Sequence, residues 1–175
     1  MSVWSAIVKA VNSKSVHQQV NAAGELRDEE GWFYKESQNF SRSQSTIRID
    51  QRRPGNWEAL ESSCGVVGLN KPGRRKEVAG FFAGSYRWLR LERELNGFKA
   101  NNVIKVIGTY RDKSGKERSA HIGFLEFELA DDLERENVLK LWARIRFIKF
   151  PSAGPNSRHV IRFDLMKDTD PRKIG

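Results

Sequence analysis

The sequence predicts a mainly β domain with short helices (α+β), built as a small barrel of about six strands, and three observations predict it. Short runs alternate apolar and polar residues, segments rich in Asn, Gly and Asp separate them, and this dense pattern begins only at Cys64, after a polar and basic opening. Six short strands in so small a span favour a closed or nearly closed sheet, because closure removes exposed edges.

Residues 1–61 read as a basic, partly ordered N-terminal arm. Trp4, Ile7, Val8 and Val11 stand at helical i, i+3, i+4, i+7 spacing and predict one short helix. From Asn12 to Asn39 the chain is rich in Ser, Gln, Asn and charge, broken mainly by Gly31-Trp32-Phe33-Tyr34, and Arg42 to Arg53 adds four arginines. Short strands are predicted at Trp32–Lys35 and Thr46–Ile49.

Gly65-Val66-Val67-Gly68-Leu69 predicts a first barrel strand, and Lys76–Ala83 a short helix with Val78, Phe81 and Phe82 inward. Tyr86–Glu94 alternates, setting Leu89 and Leu91 against Trp88, Arg90 and Glu92, which predicts a half-buried strand. Asn96–Asn102 is turn-rich, Val103–Tyr110 is the next strand, and Arg111–Lys116 is a hairpin loop with Gly115 at the left-handed position. Arg118–Leu125 pairs back. Glu126–Arg135 predicts a helix with Phe127, Ala130 and Leu133 on one stripe. Leu141–Phe150 and His159–Leu165 complete the strands, placing Phe147 and Phe163 toward the core, and 168–175 reads as a flexible tail.

Lys+Arg is 31 against 22 Asp+Glu in 175 residues, a net charge of +9, which concentrates polyanions at the surface and disfavours basic partners. The single Cys64 forms no internal disulfide, which fits a reducing compartment. The opening segment lacks a cationic start with a continuous apolar stretch, and no 18-residue apolar run occurs. The expectation is a soluble cytoplasmic protein with no membrane partner.

The segments Val66-Val67-Gly68, Trp88–Glu94, Asn96–Val106 and Ala120-His-Ile-Gly-Phe-Leu-Glu-Phe-Glu-Leu-Ala130 follow one another in an order that resembles the HIRAN domain. That family shows an opening Val-Val-Gly, an Asn-Pro-aromatic-Asp-x-Asn-Ala-Ile segment and then Ile-Gly-Tyr-Leu-x-x-Glu-Leu-Ala. The resemblance implies an OB-like barrel over residues 62–167, of a type fused to fork-remodelling helicase-type ATPases or standing alone in bacteria and phages. Its best-studied members capture the 3′ end of single-stranded DNA. This chain departs from the pattern in having Gly97 for the loop proline and Lys99 for the loop aspartate, and Asn70-Lys71-Pro72 where DNA-binding members carry basic and aromatic groups; Phe98 matches the loop aromatic.

The candidate nucleic-acid-binding residues are Asn70, Lys71, Arg74, Arg75, Phe98, Lys99, Asn101, Arg144, Arg146 and Arg158. Single-strand binders need cations for phosphates and flat rings for bases. Trp32-Phe-Tyr-Lys35, Tyr86-Arg-Trp88 and Arg144-Ile-Arg-Phe-Ile-Lys149 interleave both, although in alternating strands such rings also serve as core. The function predicted is non-catalytic recognition of single-stranded DNA or DNA 3′ ends, in repair or replication. The rival is a protein-interaction module docking on a helicase or nuclease. Catalysis, cofactor and metal are not expected: Gly65-x-x-Gly68-x-x-x-x-Gly73 lacks the Gly-Lys-Ser/Thr ending of a phosphate loop, and His17, His121 and His159 lack recognisable partners. Cys64 reads as a packing residue.

Overall fold

The computed structural model describes residues 19–20, 26–27, 31–40, 45–93, 103–133, 137–152, 154 and 157–169. The expected N-terminal helix, the loop carrying Phe98, Lys99 and Asn101, and the tail from 170 lie outside the described residues. The described chain is mostly β. Its strands are β1 (Gln19–Val20), β2 (Leu26–Arg27), β3 (Phe33–Phe40), β4 (Ser45–Arg52), β5 (Trp57–Gly65), β6 (Ser85–Arg93), β7 (Ile104–Arg111), β8 (Glu117–Phe124), β9 (Leu141–Lys149) and β10 (Val160–Asp168). Helix α1 (Arg75–Ala83) follows a 3-10 turn at Pro72–Arg74, and α2 (Phe127–Asp132) follows β8.

The strands form one antiparallel sheet in the order β1-β2-β3-β4-β9-β6-β7-β8, with β10 paired to β9 and β5. The span 57–168 holds six strands, but this sheet is open: β1 and β8 end the path without pairing to each other. One reason is that β3 and β4, from the segment expected to be an arm, join the sheet and extend it. Thr46, Ile47 and Arg48 pair with Lys149, Ile148 and Phe147. In β4, Ile47, Ile49 and Gln51 are buried while Arg48, Asp50 and Arg52 are exposed, the period-two pattern of a half-buried strand.

Two further differences have local causes. The run Val66–Leu69 is not a strand. It is a turn that meets β8 through one bridge, in which Val67 and Phe124 exchange backbone hydrogen bonds of 2.8 Å each way. Gly123 permits this approach, since a Cβ there would lie 2.5 Å from the Val67 carbonyl oxygen. Phe147 is only half-buried. In the β9–β10 ladder Phe147 faces Arg162 and Ile145 faces Phe163, so Arg146 is an extra residue, a bulge that reverses strand parity. Ile145 and Ile148, three apart, are both fully buried.

Between β6 and β9 the only register pair is Leu89 with Ala143. Gln51, wholly buried, spans this seam: its Nε2 donates to the Arg87 carbonyl of β6, and its Oε1 accepts from Ile145 N of β9 at 2.9 Å. Here a side-chain amide does the work of missing ladder bonds.

Arg87, 3 % exposed, joins helix to sheet. Its guanidinium donates to the carbonyls of Phe81 (2.8 Å), Phe82 (2.7 Å) and Gly84 (2.6 Å) at the end of α1, whose last carbonyls lack helical partners. The same group pairs with Glu36 of β3 at 2.6 Å, and Tyr34 Oη donates to that carboxylate. Beneath lies the core, where Val78, Phe81 and Phe82 of α1 face inward as their spacing predicts. Phe127 departs from its predicted stripe and is 63 % exposed, while Ala130 and Leu133 are buried.

Candidate nucleic-acid interface

The turn after β5 reverses at Gly68, where φ is +78°, and then runs through Asn70 and Lys71 into the 3-10 turn and α1. Arg74, Arg75 and Lys76 therefore gather at the positive end of the helix dipole, and no side chain caps that end. Cations are disfavoured there unless an anion joins them, with Glu77 the acidic residue of the first turn.

The predicted residues divide by what holds them. The Asn70 amide clamps the chain before β10: Nδ2 donates to the His159 carbonyl (3.1 Å) and Oδ1 accepts from His159 N (2.9 Å). Arg74 donates to the Gly68 carbonyl at 3.0 Å and lies over the Phe124 ring at 4.8 Å, so it props the turn. Lys71, Arg75 and Arg158 are exposed and make no ion pair with any described residue. These three line one concavity of about 830 Å³ between the turn, α1 and the segment Ser157–His159, with Pro72 and Pro151 in its wall. His159 borders it, its ring against Phe82 at 4.5 Å; burial, which disfavours the charged imidazolium, lowers its pKa from the usual imidazole value.

Arg144 and Arg146 lie elsewhere, in a concavity of about 850 Å³ that also holds Arg48 and Arg162. Asp164 is among its lining residues, paired with Arg144 at 2.9 Å and Arg146 at 3.7 Å, and accepting from Ser63 N at 3.1 Å. Burial pushes the Asp164 carboxyl upward, but the Arg144 and Ser63 hydrogen bonds and both guanidinium charges outweigh it, and its pKa is held below the ordinary carboxylate range. Two of the predicted cations are thus spent on one internal carboxylate.

His121 serves a structural bond, with Nε2–H donating to the Gly123 carbonyl at 2.8 Å. Cys64 is buried, and burial raises its thiol pKa to about 11. Among the described residues no cluster of His, Cys, Asp or Glu has the arrangement of a metal site, and no helix is long and apolar enough to cross a membrane. What sequence reading missed is a third concavity, lined by Trp32, Trp88 and Trp142 with three arginines. Two of its three indoles stood in the interleaved segments already noted, but Trp142 comes from β9 and only the strand order unites them. Comparison with protein-family models, with curated proteins and with solved structures finds no match.

Proposed function

We propose that this chain is a non-catalytic nucleic-acid-binding module of HIRAN type, taking single-stranded DNA or a DNA 3′ end, with the groove of Lys71, Arg75 and Arg158 as its phosphate track. An OB-like roll of the six strands from 57 to 168 and a setting in DNA repair or replication belong to the same reading. One observation carries it: three cations from segments far apart in sequence line one concave surface and are spent on no carboxylate among the described residues. The charge of +9 supports it by adding long-range attraction.

The mechanism is neutralisation. Each phosphate contact releases counterions, and for single strands log K falls with log salt by about 0.7 per contact, so three contacts give a slope of roughly −2. Fluorescence anisotropy of a labelled single strand at several salt concentrations, with hydroxyl or phosphate at the 3′ end, measures this slope. Arg158→Glu should flatten it and weaken binding; affinity indifferent to salt, or to this substitution, refutes the reading. The rival, docking on a helicase or nuclease, draws support from the exposed Phe127 ring on α2. It requires that one such protein be retained from nuclease-treated lysate and lost with Phe127→Ser.

A further inference from the structure

The third concavity lies where the sheet gapes, at the β6–β9 seam held by the Leu89–Ala143 pair and the Gln51 bridge. The cavity holds about 440 Å³, within the range of small-ligand pockets. Indoles form its walls. Trp32 stands edge-on to Trp88 (centroids 5.3 Å apart, planes at 80°), and Trp142 lies 6.4 Å from Trp88 with planes at 32°. Trp32 and Trp88 are only half-buried, so aromatic surface remains open to a guest. The indole N–H of Trp142 has no acceptor among the described residues, leaving an unused donor among the lining residues.

The lining is positively charged. Arg53 lies over the rings of Trp32 (5.0 Å) and Trp57 (4.8 Å), Arg111 over Tyr86 (5.3 Å), and Arg90 is exposed with Glu92 3.6 Å away. Against three arginines the lining itself carries one carboxylate, Glu117, while Glu92 pairs with Arg90 and Asp168 acts on Arg53 from outside the lining. Guanidinium groups over Trp32 and Tyr86 already take ring faces that a quaternary ammonium guest would use in an aromatic cage. A planar ring carrying an anion matches both features, stacking on indole while guanidinium donors meet its phosphate.

We propose that this cleft is a binding site for one nucleotide unit, an aromatic base bearing a phosphate, either free or as an unstacked residue of a single strand. It is separate from the groove of Lys71, Arg75 and Arg158 and does not require that groove to bind a strand. Its three tryptophans, of five in the chain, make it self-reporting.

Tryptophan fluorescence of the full chain, excited at the red edge of indole absorption, is titrated with a nucleoside monophosphate, the nucleoside, inorganic phosphate and a short oligonucleotide. The monophosphate should quench saturably, with nucleoside and phosphate each at least about tenfold weaker. A saturable response to the oligonucleotide alone assigns the site to strands rather than free nucleotide. Arg90→Glu, at an exposed position, should weaken whichever ligand binds by about ten- to a hundredfold, the effect of one charge-assisted phosphate contact. Trp32→Ala should weaken it as well. Arg158→Glu should leave the monophosphate response intact, and it does so even if strand binding through the groove fails. Absence of saturable quenching by any of these nucleotides, or quenching unchanged in folded Arg90→Glu protein, overturns the proposal.

Discussion

Arg87→Met tests how α1 is fastened to the sheet. The substitution keeps an unbranched stem of similar reach and deletes the guanidinium. Three carbonyls at the end of α1 lose donors held at 2.6–2.8 Å, and the Glu36 carboxylate, its side chain 21 % exposed, loses the cation at 2.6 Å. Removing one partner of a buried ion pair costs about 3–5 kcal/mol, because the survivor stays desolvated without compensation. At a urea dependence of roughly 2 kcal/mol per molar, the unfolding midpoint should fall by about 2 M with its slope unchanged. Arg90→Ala, with an exposed pair to Glu92, should stay within about 0.5 kcal/mol of the parent. Adding Glu36→Gln to Arg87→Met should recover part of the loss, giving a coupling energy of about 0.5–3 kcal/mol. Urea unfolding followed by circular dichroism reads the parent, Glu36→Gln alone and these three variants. A midpoint shift in Arg87→Met no larger than in Arg90→Ala would refute the view that this arginine ties helix, β3 and β6 together.

Ile148→Ala should cost about 2–5 kcal/mol as a fully buried deletion, whereas Phe147→Ala, on the half-buried side of the bulge, should cost less than about 1.5 kcal/mol; equal losses in urea titration would restore simple alternation to β9. Burial, with the Glu36 charge adding to it, raises the Tyr34 and Tyr86 pKa values above the ordinary phenol value. The folded state therefore holds these protons more tightly than the unfolded chain, so the stability they contribute is complete below about pH 10 and is lost as pH rises further. Their phenolate absorbance should appear together with loss of circular dichroism; phenolate signal from both in folded protein contradicts the burial argument. Cys64, raised to about 11 chiefly by burial, should react with a thiol reagent at pH 8 far more slowly in the folded chain than in urea, and equal rates would place the thiol outside the core.

Where local chemistry decides an element, the sequence was enough. Gly115 has φ of +81°, and Asp112 accepts from Ser114 N and Lys116 N across the β7–β8 loop, so that hairpin was legible in a few residues. The stripe of Val78, Phe81 and Phe82 was equally plain. β5 was invisible because its side chains are mostly exposed on both faces, and what makes it a strand is backbone pairing with β10. The Val66–Leu69 run looked like a strand because it is apolar, yet it is apolar in order to lie against β8 and the core. Phe147 was misplaced by one inserted residue, which no periodicity announces.

Charge was harder to read than fold, because whether a cation is available depends on what lies across the ladder from it. Arg144, Arg146, Lys149, Arg158 and Arg162 come from two strands that the sequence expects to be neighbours, an arrangement that could build one basic face. Register divides them: Asp164 is the cross-strand partner of Arg144, and its carboxylate reaches Arg146 beyond the bulge, so both arginines are neutralised where they stand. Arg158 precedes the first paired residue of β10, Val160, and so escapes that ladder. The Asn70 clamp on His159 instead draws its segment beside Lys71 and Arg75. A residue predicted to bind therefore acts as the positioning group for one that does not adjoin it in sequence, and this follows from the β10 register and not from the composition of either segment.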